Sequence, residues 1–174
     1  RHATILSREL AEKLGQTTRV CVHHHLLAGL QGPKGRMGQE TATLQIEDKM
    51  SKSKPQTAIF IHDSKKEIEE KINKAFCPEK VVVGNPILEL WKYIILRKFD
   101  SRIITRPAKF GGNLEIQRYE ELEKTFREGK LHPLDLKKET ALALDEILTP
   151  VRKHFEKGKA KELYETVKNA QITR

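Results

Sequence analysis

Apolar residues recur along this chain at spacings that switch between helical and extended periods. From Arg1 to Gly15, the residues Ala3, Leu6, Leu10 and Leu14 fall at helical intervals, and Gly15 stands where a helix would stop. No N-cap is offered beyond Thr4 and no methionine precedes it, so the chain is expected to be cut from something longer. Arg19 to His23 reads as a short apolar strand, and the helix–strand pair resembles the last unit of a parallel α/β sheet. Gly29, Gly32, Pro33, Gly35 and Gly38 then punctuate a loop-like stretch, within which Thr41 to Ile46 alternates well enough for another strand.

Beyond Asp63 the period becomes helical. Ser64 with Glu67 forms a capping box, and Ile68, Ile72, Ala75 and Phe76 supply one apolar face. After Pro86 a second helix presents Ile87, Leu90, Trp91, Ile94 and Ile95 as one stripe, in which Trp91 reads as packing rather than as a base-stacking platform. Ser101 to Thr105 is β-prone, Phe110 to Asn113 is a turn, and Tyr119 to Arg127 is helical. Pro133 suits the first turn of a long helix continued by Leu136, Ala143, Ile147, Val151 and Phe155, with a kink expected at Pro150 and a break at Gly158. A last helix from Lys159 to Ala170 would turn Leu163 and Val167 inward. The expected fold class is therefore α/β then α, dividing near Asp63 into residues 1–63 and 64–174.

The 174 residues can bury a real core. No apolar run approaches the roughly 18 to 20 residues of a membrane-spanning helix, so no membrane partner is expected. Cys21 and Cys77 make no framework, which points to a reducing cytoplasm. A net charge of +9 suits a polyanionic partner, because lysines and arginines that displace counterions from phosphates supply affinity regardless of sequence. His23-His24-His25 is not assigned to a metal, since adjacent residues on an extended chain alternate faces and do not converge on one ion.

The chemistry-bearing stretch is Asp48-Lys49-Met50-Ser51-Lys52-Ser53-Lys54. Lysines three positions apart on a short loop, with small hydroxyl residues between them, can close over phosphates and hold charge that develops in a transition state. The plain alternative is a solvated lysine–serine loop. Lys-Met-Ser-Lys-Ser is also, letter for letter, a signature of class I aminoacyl-tRNA synthetases. Further segments carry a more specific resemblance: Ala75-Phe76-Cys77-Pro78, Gly84-Asn85-Pro86, Arg106-Pro107, Lys109-Phe110-Gly111-Gly112, Tyr119-Glu120-Glu121-Leu122-Glu123 and His132-Pro133-Leu134-Asp135-Leu136-Lys137. Through them the chain resembles the second half of an archaeal or eukaryotic type tyrosyl-tRNA synthetase.

That resemblance implies the end of a Rossmann-type catalytic domain over residues 1–63 and a helical anticodon-binding domain over 64–174. It implies that Lys49, Lys52 and Lys54 serve catalysis, and that Lys49, Met50, Ser51, Lys52 and Ser53 bind ATP, which brings Mg2+ with it. Phe110 would stack on the first anticodon base and Asp135 would read that guanine, while Arg1 and His2 would meet the acceptor stem, His2 standing where a lysine is frequent. Phe110 as a core residue and Asp135 as a helix-end charge are the structural alternatives. The family's His-Ile-Gly-His type motif is not in the chain, nor are its tyrosine-holding residues. The implied partners are tRNA(Tyr), ATP, tyrosine only together with an upstream half, and that upstream half or a homodimer of the full-length enzyme. A non-catalytic RNA-binding adaptor is the competing function.

Overall fold

Ser64 opens the first helix of the main core as its sequence predicts. Its Oγ accepts from Glu67 N, and the Glu67 carboxylate accepts in return from Ser64 N at 2.8 Å, so two orphan donors of the helix end are satisfied reciprocally. These bonds to Ser64 hold the Glu67 carboxyl below the usual carboxylate range. The computed structural model describes residues 2–33, 49–51 and 53–170. The strand expected at 41–46, Lys52, Arg1 and the side chain of His2 lie outside the described residues.

In chain order the helices are α1 (His2–Lys13), α2 (Lys65–Lys74), α3 (Pro86–Leu90), α4 (Tyr119–Arg127), α5 (Pro133–His154) and α6 (Gly158–Asn169). Between α3 and α4 lie two short strands, β1 (Arg102–Ile104) and β2 (Leu114–Ile116), which pair antiparallel with Ile103 opposite Glu115. The core is built where α2 and α3 pack on α5 and the β1–β2 pair closes one side. Ile68 and Ile72 of α2, Ile87 and Leu88 of α3, Ile104, Ile116, Leu122, Phe126, Leu136 and Leu144 all meet there. Among the described residues no helix is long and apolar enough to cross a membrane.

Trp91 sits at the centre, 0% exposed, and donates from Nε1 to Thr140 Oγ1 at 2.8 Å. The sequence places it in one continuous helix, and here the structure differs. α3 runs directly into a π-helical turn, Trp91–Ile95, before a last α turn at Leu96–Lys98. A wider turn shifts the side-chain phase and lets both Trp91 and Ile95 face the core. α5 continues through Pro150 to His154. Thr149 Oγ1 and Arg152 Nη2 both donate to Asp145 O, at 2.7 and 3.3 Å, in the turn that precedes Pro150.

Two expectations are corrected. Residues 19–23 join no strand among the described residues, and Val20 is 93% exposed. A strand is defined by its ladder partner, and β-propensity alone cannot supply one. In α6, Leu163 and Val167 point outward, and the half-buried residues are Ala160 and Tyr164, the latter's ring meeting His62 and Phe155 at 5.4 and 5.8 Å. Gly158 begins α6 with φ of +58°, a conformation that glycine adopts freely.

Candidate functional site

The lysine loop is gripped at its base. Ala28 and Lys49 form an antiparallel bridge, and Met50 N donates to Leu27 O at 3.1 Å. Met50 and Leu27 both pack on the hydrophobic core, so the apolar residue of the motif anchors while Lys49 is exposed. Ser51 then folds the chain back: its hydroxyl accepts from Ser53 N at 3.4 Å and its carbonyl from Lys54 N at 3.0 Å. Lys54 O accepts both Thr57 N and Thr57 Oγ1, and Thr57 O accepts Leu30 N at 2.9 Å. A rigid frame therefore presents a short segment of cations and hydroxyls.

The segment paired with the loop is itself held from α3. Glu89 Oε2 accepts Ala28 N at 2.9 Å and lies 3.2 Å from His25 Nε2. A carboxylate can only accept, so that ring nitrogen carries the hydrogen. The His25 ring stacks on Tyr93 with centroids 4.0 Å apart. Nearby, Lys92 Nζ lies 4.8 Å from the centre of the Tyr119 ring. Burial, with Glu123 beside it and Tyr93 and Glu89 adding negative field, pushes the Tyr119 hydroxyl up to about 12, so it stays neutral. His24 Nδ1 bonds to His25 O, and among the described residues no three metal-ligating side chains come together.

A second constellation gathers around Phe110 and the start of α5. Phe110 ends a 3-10 turn, Ala108–Phe110, and its ring is 59% exposed, which removes its reading as a core residue. Gly111 and Gly112 follow with φ of +93° and +69°, the left-handed backbone that lets the chain reverse immediately after the ring. Lys109 Nζ sits 4.9 Å from the ring centre, which places a cation beside an open aromatic face. Asp135 lies in the first turn of α5, half-buried, with its N–H donated to His132 O. His132 caps that helix by accepting Leu134 N on Nδ1 at 3.2 Å, while its Nε2 faces Glu79 at 3.3 Å.

Arg106 ties these two pieces. Its Nε donates to Gly112 O at 2.9 Å and its Nη1 to Lys130 O at 2.5 Å, so the loop bearing Phe110 is fastened to the segment that enters α5. The sequence contains Arg106 within a recognisable Arg-Pro pair but assigns it no role. Glu89 was missed altogether, because a glutamate in a helix's first turn looks like ordinary dipole complementation. Only its partners 61 and 64 positions away reveal it.

Residues 1–149 match the family model described as tRNA synthetases class I (W and Y). The chain is 50% identical over 161 residues to the tyrosine–tRNA ligase of Saccharolobus solfataricus, covering 90% of this chain and 44% of that protein. Against the tyrosine–tRNA ligase of Sulfurisphaera tokodaii it is 48% identical over 157 residues, with 90% and 43% covered. It superposes on the crystal structure of the Pyrococcus horikoshii tyrosyl-tRNA synthetase complexed with L-tyrosine with a TM-score of 0.80 at 41% identity, covering 94% of this chain and 48% of that one. A Leishmania major tyrosyl-tRNA synthetase in complex with tyrosinol gives 0.76 at 28% identity, with 100% and 26% covered. The chain thus spans less than half the length of the curated relatives it matches. A family model that takes in the lysine loop, α2, α3, α4 and most of α5, with relatives at this identity, places the chain among the class I tRNA synthetases of the tryptophan and tyrosine type.

Proposed function

We propose that this chain is the part of a tyrosine–tRNA ligase that carries the lysine loop and reads the anticodon. In this reading residues 1–63 close a Rossmann-type catalytic domain and residues 64–174 form the anticodon-binding domain. The observation that carries it is the exposed Phe110 ring on a loop that Arg106 fastens to the segment leading into the first turn of α5, where Asp135 sits. An aromatic face suits an unstacked base of single-stranded RNA, and a carboxylate accepts from the N–H edge of guanine, which no other base presents in the same way. Arg1 and His2 would contact the acceptor stem, and the net charge of +9 would steer the polyanion.

At the other end, tyrosine's carboxylate attacks the α-phosphate of ATP and pyrophosphate leaves. Lys49, Lys52 and Lys54 would close on the leaving group, holding charge that is greater in the transition state than in the bound substrate, with Met50, Ser51 and Ser53 shaping the nucleotide seat. Mg2+ supplies further phosphate neutralisation when bound. The described residues offer no set of three ligands for it, so in this reading it enters on the nucleotide. Tyrosine binding would need an upstream half, and the ligase would work in the cytoplasm as that half joined to this one or as a homodimer of the full-length enzyme.

The reading is tested by two measurements. Binding of a tyrosine tRNA transcript should weaken by about 1 to 3 kcal/mol when the first anticodon guanine is replaced, and alanine at Asp135 or Phe110 should abolish that difference. Equal binding of both transcripts, weakening together as salt rises, would leave phosphate attraction alone and favour the adaptor function. Separately, tyrosine-dependent exchange of pyrophosphate into ATP should be absent with this chain alone and should return when the upstream half of a homologous synthetase is supplied. Exchange by the isolated chain would overturn the division of labour.

A further inference from the structure

One carboxylate of α3 bonds directly to the segment paired with the lysine loop. Glu89 Oε2 takes both the Ala28 N–H at 2.9 Å and His25 Nε2 at 3.2 Å. Ala28 is the residue bridged to Lys49, and its neighbour Leu27 accepts Met50 N. On the other side, Glu89 lies in α3, two residues before Trp91, which bonds across the core to Thr140 of α5. Asp135 stands at the start of that same helix. The buried Trp91–Thr140 bond thus links α5, which begins at the proposed base-reading end, to the helix that carries Glu89, and the Glu89 carboxylate reaches the base of the loop.

We propose that Glu89 is a positioning residue for the lysine loop, fixing its base from the helical core and so setting where the loop's cations sit. This deepens the synthetase reading and rests on it. Three features of the site support the assignment. Two donors converge on one oxygen of a half-buried carboxylate, which is a stronger anchor than a neutral acceptor would be. His25, one of the two donors, is itself locked by its stack on Tyr93, so the carboxylate meets a preset partner. The π-helical turn begins immediately after α3, at the joint between the anchor and the core. The groups around Glu89 are His25 on the loop side and, on the helical side, the neutral Tyr119 hydroxyl, which feels Glu89 together with Tyr93 and Glu123.

Amide hydrogen exchange on this chain tests the anchor directly, comparing the native sequence with Glu89→Ala and Glu89→Gln. Ala28 N–H loses its own acceptor in the alanine variant, so its faster exchange is trivial. The informative amide is Met50, which bonds to Leu27 and not to Glu89. It should exchange at least about tenfold faster in Glu89→Ala, while α5 amides and Trp91 fluorescence stay as they were. Glu89→Gln should lie between, because its amide oxygen still accepts from Ala28. An unchanged Met50 amide, or acceleration spread equally over α5, would overturn the proposal.

The functional arm supplies the upstream half and measures exchange of pyrophosphate into ATP. Glu89→Ala should lower kcat about tenfold with the KM for tyrosine unmoved, and Glu89→Gln should restore part of the rate. A native kcat in Glu89→Ala would sink the positioning role. If the native pair itself shows no exchange, the synthetase reading fails, and the Met50 amide still decides whether Glu89 anchors the loop.

Discussion

Asn85→Ala is expected to destabilise the chain by about 3 kcal/mol, a large fraction of the stability of a small domain. Asn85 is 0% exposed and all of its side-chain polarity is engaged. Oδ1 accepts Ile87 N at 3.0 Å and Leu88 N at 3.4 Å, capping α3, while Nδ2 donates to Val81 O at 2.9 Å and to Cys77 Sγ at 3.4 Å. Losing an N-cap alone costs about 1 kcal/mol. Alanine also leaves the Val81 carbonyl without its donor, at about 1 to 3 kcal/mol if nothing replaces the bond. Asn85→Asp is the sharper comparison, because it keeps the cap and loses the donor. It should fall between the two, and urea denaturation would order the three proteins. A loss below about 1 kcal/mol for Asn85→Ala would mean that water enters the site and that Asn85 is an ordinary cap. Cys77, whose thiol burial pushes up, would become open to alkylation in the same variant.

Lys71→Met is expected to cost about 3 kcal/mol although methionine fills nearly the same volume. Lys71 Nζ lies 2.5 Å from Asp63 Oδ2, and both side chains are almost wholly buried. The ammonium also rests 4.7 Å from the Phe60 ring centre. Removing the cation leaves the Asp63 carboxylate in a low-dielectric site with Phe60 N–H at 2.8 Å as its remaining donor, which places the cost at the lower end for a broken buried pair. The double variant Asp63→Asn with Lys71→Met should recover more than half of the loss, since it removes the unpaired charge. If the double variant is no better than the single one, packing rather than charge is what Lys71 contributes. The consequence reaches the proposed site, because Arg152 Nη1 of α5 donates to Asp63 O at 2.9 Å. The chain leaving the lysine loop is thereby tied to the long helix at this point.

These two residues show where sequence reading succeeds and where it stops. A helix was expected after Pro86 from local chemistry and begins there, while the cap that Asn85 supplies was not read from the sequence. Ser64 and Glu67, Pro133, and the helix at Tyr119–Arg127 were legible for the same reason: each depends on bonds between residues a few positions apart. The buried pair was not legible, because Asp63 and Lys71 look like two more charges in a chain where 33% of residues are charged. Their burial follows from how α2 packs on α5.

The candidate site divides along the same line. The lysine loop, Phe110 and Asp135 stand out by residue type, since small hydroxyls between lysines and an aromatic before two glycines have few structural uses. What holds them does not stand out. Arg106 reaches Lys130 and Glu89 reaches His25 and Ala28 across gaps of 24, 64 and 61 positions, which no periodicity encodes. The misread elements fit this account as well. Arg19–His23 has strand propensity without a partner among the described residues, and α6 turns Tyr164 rather than Leu163 inward, against His62 and Phe155.

By itself, the sequence determined the helix starts, the apolar faces and the identities of the residues available for phosphate and base contacts, because caps, turns and amphipathic periods act over one or two turns of chain. The tertiary structure alone decided which charges are buried, how the π turn seats Trp91, and which side chains clamp the loops, because those depend on the desolvation and geometry that exist only once distant segments are packed together.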